Sequence, residues 1–202
     1  VWTVLDIDHK RHLVYCEMVK GSIPAYFGQC PGDLHTKILK RMQQVLLEER
    51  SYPYLMKNAV ARLEQSRFTA AHSGVGRETL INLGGKMWCL LPWLGTYPFL
   101  ALERFLKIKC APRLGLRNLD SARPYYMQFT MKSDADAFFR VLGEEIRKPF
   151  DPMELIYTGE TPLFDKYDEY LPEELLRRGF AYGVLDVDTM RRTVLDWTEA
   201  RA

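Results

Sequence analysis

The sequence predicts an α+β fold in which antiparallel β-hairpins form a sheet or a barrel-like unit, packed with an αα-hairpin and followed by a mostly helical C-terminal part. Three observations predict this class: paired runs of β-branched and aromatic residues, two successive stretches of helical periodicity, and helix start signals that recur near the C-terminus. With 202 residues, of which 47% are hydrophobic, the chain is large enough to bury a core.

Two β-hairpins are predicted. The runs 1–7 and 13–19 are rich in β-branched and aromatic residues and flank a short polar segment. The runs 78–83 and 86–93 flank Gly84-Gly85, a dipeptide that supplies the positive φ values of a tight hairpin turn. Residues 21–32 are dense in Gly and Pro, and we interpret them as an ordered loop.

The αα-hairpin is predicted between these two β-hairpins. Asp33 is expected to cap a helix that runs to about Glu49, because apolar residues recur at helical spacing after it. The chain restarts at Pro53, and a second helix is expected to end near Ala71.

The second half begins with one more helix before it returns to strands. Thr96 is expected to cap a helix that ends near Lys107, and strands are expected at 109–116 and 125–131.

The end of the chain is predicted to be helical. Residues 133–136 resemble a capping box, Pro172 opens a first turn with two acids behind it, and Asp186 opens a last helix. We place a modest boundary at Lys148-Pro149, which gives an α+β domain at 1–148 and a helical extension at 149–202; the alternative is that both belong to one domain.

The charges are unevenly distributed along the chain. Residues 1–132 hold 19 Lys and Arg against 10 Asp and Glu, whereas residues 133–202 hold 9 against 16, within a net charge of +2. This contrast favours one surface that suits a polyanion and another that faces protein or solvent.

Motifs of catalysis are missing from the sequence. The phosphate-binding loop G-x-x-x-x-G-K-[ST] and the D-E-x-H and D-E-x-D boxes are absent, so we expect no ATP hydrolysis in this chain. Nucleophile elbows, H-E-x-x-H and zinc-ligand spacings are also absent, and we expect no catalytic or metal-binding residues and reduced cysteines. One alternative is a metal-dependent nuclease that uses Asp6 and Asp8, since carboxylates two residues apart share a strand face. No membrane span or signal peptide is present, which favours a soluble, cytoplasmic protein.

Basic and aromatic residues are better represented. Phosphate neutralisation by cations beside stacking aromatic rings is the general chemistry of single-strand binding. Lys37, Lys40 and Arg41 are expected to form one exposed stripe, and Trp93, where the predicted strand ends, is the stacking candidate, although a core position is the alternative. A second basic concentration contains Arg104, Lys107, Lys109, Arg113, Arg117 and Arg123.

Several short segments resemble, in order and spacing, the region that follows the motor of Lhr-like DEAD/DEAH-box helicases. The segments are 2–8, 21–28, 32–35, 52–55, 90–96, 165–176 and 185–186. Trp93 and Thr96 match the Pro-Trp-Leu-Gly-Thr segment, and Gly21, Pro24, Phe27 and Gly28 match the Gly/Pro loop. The chain begins at Val1 within an alternating apolar pattern, and we interpret it as part of a longer polypeptide.

This resemblance implies an accessory domain that contacts the translocated strand beside two RecA-like motor domains of the same polypeptide. It also implies that the parent protein is an ATP hydrolase that uses ATP and magnesium outside this segment. The sequence therefore predicts binding of single-stranded DNA or RNA through Lys37, Lys40, Arg41, Trp93, Thr96, Arg104, Lys107, Arg113 and Arg117. The alternative is a structural scaffold whose acidic helical end docks on the motor or on a partner without touching nucleic acid.

Overall fold

The structure is a computed structural model, and it describes residues 2–8, 10–18 and 33–200. The chain divides into two compact units, Val1–Gly32 and Asp33–Ala202. The fold class is α+β, as the sequence predicts, with antiparallel sheets of two and four strands and with helices toward the C-terminus. The Gly/Pro loop predicted at 21–32, with Gly21, Pro24, Phe27 and Gly28, lies outside the described residues.

The first unit contains the first predicted hairpin. Strand β1 spans Trp2–Asp8 and pairs antiparallel with β2, Leu13–Met18. The register shifts between Val4 and Asp6, so Leu5 is an extra residue that has no partner across the ladder. Because Leu5 is skipped, the paired residues alternate cleanly. One face carries Trp2, Val4, Ile7, Val14, Cys16 and Met18, and the other carries Thr3, Asp6, Asp8, Leu13, Tyr15 and Glu17.

The second unit opens with the αα-hairpin. Helix α1 spans Thr36–Leu47 and α2 spans Lys57–Ser73. The predicted cap at Asp33 is wrong, because the His35 side chain occupies the N-cap and accepts a hydrogen bond from the Lys37 amide. The two helices bury little, with Leu39 and Ala70 as their buried residues.

The main sheet has four antiparallel strands in the order β3-β4-β6-β5. The strands are β3 Leu80–Gly84, β4 Met87–Leu90, β5 Arg117–Ala122 and β6 Tyr126–Thr130. The Gly84-Gly85 turn is confirmed, and both glycines have positive φ. The sheet is open, since β3 and β5 are its two edges.

The segment after β4 is helical for longer than the sequence predicts. Helix α3 spans Thr96–Phe105, a π-helical turn spans Leu106–Cys110, and α4 spans Ala111–Leu114. The strand predicted at 109–116 is therefore wrong. The π turn lies just before Pro112, which cannot donate the amide hydrogen bond of a regular helix. The cap predicted at Thr96 is one residue too late. Gly95 is the N-cap of α3, and Thr96 is the first residue of the helix.

The C-terminal part is mostly helical, as predicted. Helix α5 spans Ala135–Arg147 with Asp134 as N-cap, α6 spans Glu173–Gly179, and α7 spans Val187–Glu199 with Asp186 as N-cap. A π-helical turn, Phe180–Val184, follows α6, and single 3₁₀ turns lie at Pro152–Leu155 and Asp168–Tyr170.

One continuous core lies between the inner face of the sheet and helices α3, α5 and α7. Residues 98–105 of α3 are buried throughout, as expected for a helix surrounded by other elements. Ring stacking between Phe129 on β6 and Phe138 on α5 joins sheet and helix. The core includes Ile146 and Leu155, so the boundary predicted after Lys148 falls inside the second unit.

Among the residues that the structure describes, no helix combines the length and the apolar character needed to cross a membrane.

Candidate nucleic-acid interface

Helix α1 presents the first predicted basic group on its outer side. Residues Lys37, Lys40, Arg41, Gln44 and Glu48 follow one another at helical spacing, and we call this row the α1 stripe. Lys37 and Lys40 are exposed, and neither makes an ion pair with any residue in the described part of the chain. Their ammonium groups are therefore available to a solvent-borne anion.

The third cation of the stripe, Arg41, is bound by residues at and after the C-terminal end of α1. Arg41 donates to the Glu48 carboxylate at 2.8 Å and to the Tyr52 hydroxyl at 2.8 Å. The Arg41 hydrogen bonds and the Tyr52 hydroxyl lower the pKa of Glu48. Arg41 is thus a weaker candidate for a phosphate than the two lysines before it.

Tyrosines extend the stripe at its C-terminal end. The Tyr54 ring is 77% exposed and lies 5.6 Å from the Tyr52 ring, centroid to centroid. The Arg50 guanidinium lies over the Tyr52 ring, 5.8 Å from its centroid. A cavity of about 350 Å³ opens here, lined in part by Arg41, Tyr52 and Tyr54. Tyr54 was not among the predicted binding residues, although it follows the basic helix directly in the sequence.

The start of α1 is joined to the start of α3 by reciprocal hydrogen bonds. The Leu34 amide donates to the Thr96 hydroxyl at 2.9 Å, and the Gly95 amide donates to the Thr36 hydroxyl at 3.0 Å. The Thr96 amide donates to the Leu34 carbonyl at 2.9 Å. Two segments of the helicase resemblance, 32–35 and 90–96, therefore meet here. We call this contact the threonine junction.

Thr96 and Trp93, both predicted to bind nucleic acid, make contacts or are buried within the fold. The Thr96 hydroxyl is occupied by a backbone amide, so its role is to position α1. Trp93 is half-buried, has a positive φ of 52°, and buries its indole N–H without a hydrogen-bond partner in the structure. Its polar edge does not face solvent, whereas Tyr97 beside it is exposed and donates a hydrogen bond to the Asp33 carboxylate.

Arg104 does not lie on the surface. Its side chain is 8% exposed, forms an ion pair with Glu160 at 2.6 Å, and donates to the Leu155 carbonyl at 3.1 Å. The guanidinium also lies between the rings of Tyr157 and Phe180, at 4.5 and 4.7 Å from their centroids. We therefore remove Arg104 from the candidate interface.

The rest of the second basic concentration is largely paired with acids. Lys107 and Arg123 share Glu103, at 2.7 and 3.2 Å, and Lys109 pairs with Glu154. Although burial acts to raise it, the pKa of Glu103 is lowered by these two cations.

Arg113 is bound by two acids and Arg117 by none. Arg113 pairs with Glu144 at 2.5 Å and with Glu145 at 2.7 Å. Arg117 is exposed at the start of β5 and has no ion pair within the described ranges. Arg117 thus differs from Lys107, Lys109, Arg113 and Arg123, each of which is paired with an acid of the chain.

The two carboxylates of the nuclease alternative accept hydrogen bonds from nearby backbone amides of the first hairpin. Asp6 and Asp8 share a face of β1, as predicted, but Asp8 accepts hydrogen bonds from the amides of Lys10 and Arg11, each at 3.0 Å. In the described segments no group of three His, Cys, Asp or Glu side chains is arranged to hold a metal ion.

The cysteines in the described ranges carry no disulfide. Cys16 is exposed, and Cys89 and Cys110 are buried. Burial raises the pKa of the Cys110 and Cys89 thiols, so both stay protonated and unreactive at neutral pH.

Comparison of the chain with protein-family models, with curated proteins and with solved structures finds no match in any of the three.

Proposed function

We propose that this chain is a non-catalytic accessory unit that binds single-stranded nucleic acid beside the ATP-driven motor domains of the same polypeptide. The observation that carries the proposal is the α1 stripe, where Lys37 and Lys40 are exposed and form no ion pair with any described residue, while the exposed ring of Tyr54 follows the C-terminal end of the same helix. The resemblance of the sequence to the region after the motor of Lhr-like helicases supports the same function. ATP and magnesium would act in the motor domains.

The chemistry of the stripe fits a strand bound without base-specific contacts. Ammonium groups neutralise phosphates and release counterions, which makes binding depend steeply on salt. An exposed tyrosine ring stacks on any base, since every base has a π-face. The stripe and Tyr54 together therefore favour binding that does not depend on the base sequence.

Charge reversal at Lys37 and Lys40 tests this proposal. We expect the double variant Lys37→Glu/Lys40→Glu to bind fluorescent oligo-dT and oligo-U at least about tenfold more weakly than the natural chain, measured by anisotropy. The slope of log K against log salt should also shrink by about 1.4, or ~0.7 for each lost phosphate contact on a single strand.

The matched control is Lys86→Glu/Lys132→Glu, which makes the same charge change at two exposed lysines near the sheet. If both double variants lose affinity equally, binding is a response to net charge and the α1 stripe is not the interface. If neither loses affinity, the stripe touches no nucleic acid.

A protein-docking scaffold is the second candidate function. It is favoured by the ion pairs of Lys107, Lys109 and Arg113, since cations that are already paired with acids of the same chain are less available to phosphates. Under this function, the Lys37→Glu/Lys40→Glu change leaves strand binding by the full-length helicase unchanged, which separates the two candidates.

A further inference from the structure

An exposed apolar surface lies on the loop before α6 and on α6 itself. We call it the 163–175 surface. It consists of Leu163, Phe164, Tyr167, Tyr170, Leu171 and Leu175, all of which are exposed. An apolar concentration of this kind on a short stretch of chain marks an interaction site more often than a bare solvent face.

The loop that carries this surface is fixed from within. Asp168 is 4% exposed, and its carboxylate accepts hydrogen bonds from the amides of Phe164 at 2.5 Å and Asp165 at 2.7 Å. The Leu171 amide donates to the Asp168 carbonyl at 3.0 Å, and the Phe164 ring lies 5.8 Å from the buried Phe180 ring. The backbone that carries the exposed side chains is therefore fixed before any partner arrives, which reduces the entropy lost on binding.

The charges around the surface select the chemistry of its partner. Asp165, Glu169, Glu173 and Glu174 are exposed within the segment, and Lys166 is its one cation. Glu173 pairs with Arg177 of α6 at 3.6 Å. The other three carboxylates form no ion pair with a described residue, and they repel the phosphates of nucleic acid and of anionic lipid. They attract a basic protein surface, and two exposed tyrosines are side chains that often anchor protein interfaces.

A second copy of the chain is a poor partner for the same reason. In a two-fold dimer each residue of a patch faces the same patch on the other subunit. Such a pair would set the four carboxylates of one 163–175 surface against the four of the other.

We infer that the 163–175 surface is a docking site for a protein partner that is apolar at the centre of its contact and basic at the rim. This interaction is separate from the α1 stripe and does not depend on nucleic-acid binding. Contact through Tyr167, Tyr170 and Leu175 supplies the apolar part, and the surrounding carboxylates orient the partner.

The test uses designed peptides on the complete chain. An amphipathic helical peptide made of Leu and Lys should bind at least about tenfold more tightly than a Lys-only peptide of equal charge or a Leu/Glu peptide, by anisotropy. The variant Tyr167→Ser/Tyr170→Ser/Leu175→Ser should lose about tenfold in affinity for the Leu/Lys peptide, with circular dichroism unchanged because all three side chains are exposed.

The control is Tyr54→Ser, which removes an exposed tyrosine from a different surface and should leave Leu/Lys peptide binding unchanged. Equal binding of the Leu/Lys and Lys-only peptides, or equal binding by natural chain and triple variant, overturns the inference. So does a dimer in sedimentation velocity that the triple variant abolishes, because the occupant would then be a second copy. Loss of oligo-dT binding in the triple variant also overturns it.

Discussion

Replacing Gly95 by alanine is expected to destabilise the second unit by about 3 kcal/mol. An alanine Cβ at this position would lie 2.3 Å from the Leu34 carbonyl oxygen, 2.6 Å from the Thr36 amide nitrogen and 2.9 Å from the His35 carbonyl carbon. All three are backbone atoms, so no side chain can rotate away to make room. The start of α1 would have to move off α3, and the reciprocal hydrogen bonds of the threonine junction would break.

Chemical denaturation followed by circular dichroism measures this effect. The matched control is Gly183→Ala, since a Cβ on Gly183 meets no atom within 4 Å and its φ is not positive. We expect the control to stay within about 0.5 kcal/mol of the natural chain. Equal stability of the Gly95→Ala and Gly183→Ala proteins would show that α1 does not rest on α3 as described.

Replacing Arg104 by alanine is expected to cost about 3–5 kcal/mol of stability. The change leaves the Glu160 carboxylate without its partner and the Leu155 carbonyl without its donor. It also empties the space between the rings of Tyr157 and Phe180. The control is Arg140→Ala, whose 63% exposed side chain pairs with Glu144 at 3.4 Å and should contribute less than about 1 kcal/mol.

The Arg104 effect should also depend on pH. The hydrogen bonds from Arg104 lower the pKa of Glu160 below its ordinary value of 4.5. A carboxylate with a lowered folded-state pKa stabilises the fold above its ordinary value, and that contribution is lost as the pH falls through the folded-state value. The stability gap between the natural chain and Arg104→Ala should therefore shrink below about pH 4.5. A gap that is constant from pH 7 to pH 3, by denaturation, would argue against the ion pair.

The elements that the sequence predicted well are those fixed by neighbouring residues. The Gly84-Gly85 turn needs positive φ at consecutive positions, which almost any fold must satisfy with glycine. The starts of α5 and α7 follow from the side chains of Asp134 and Asp186, which accept hydrogen bonds from backbone amides three residues later.

The predicted strand at 109–116 failed because its pattern fits two periods. Apolar residues alternate there, which favours a strand, but Cys110 and Leu114 are also four residues apart and lie on one buried side of a helix. The packing of α3 into the core decides between the two, and no local signal reports it.

In the candidate site, too, the features fixed by local spacing were predicted, and those that depend on distant residues were not. Helical spacing was enough to place Lys37, Lys40 and Arg41 on one side of α1. The burial of Arg104 could not be predicted from the local sequence, because its partner Glu160 is 56 residues away. The contact between Thr36 and Gly95 likewise joins segments 59 residues apart. Such pairings depend on the tertiary fold, which charge counts along the chain do not describe.

The extra residue in β1 has a consequence for how homologous chains should be aligned. Leu5 is skipped by the ladder, so a chain that lacks it would pair Val4 and Asp6 with the same partners, Cys16 and Tyr15, in an uninterrupted ladder. A one-residue gap at this position would preserve the apolar side of the hairpin. A gap elsewhere in the strand would leave Leu5 unmatched and shift the residues on one side of the gap by one position, which turns their side chains to the opposite face of the hairpin.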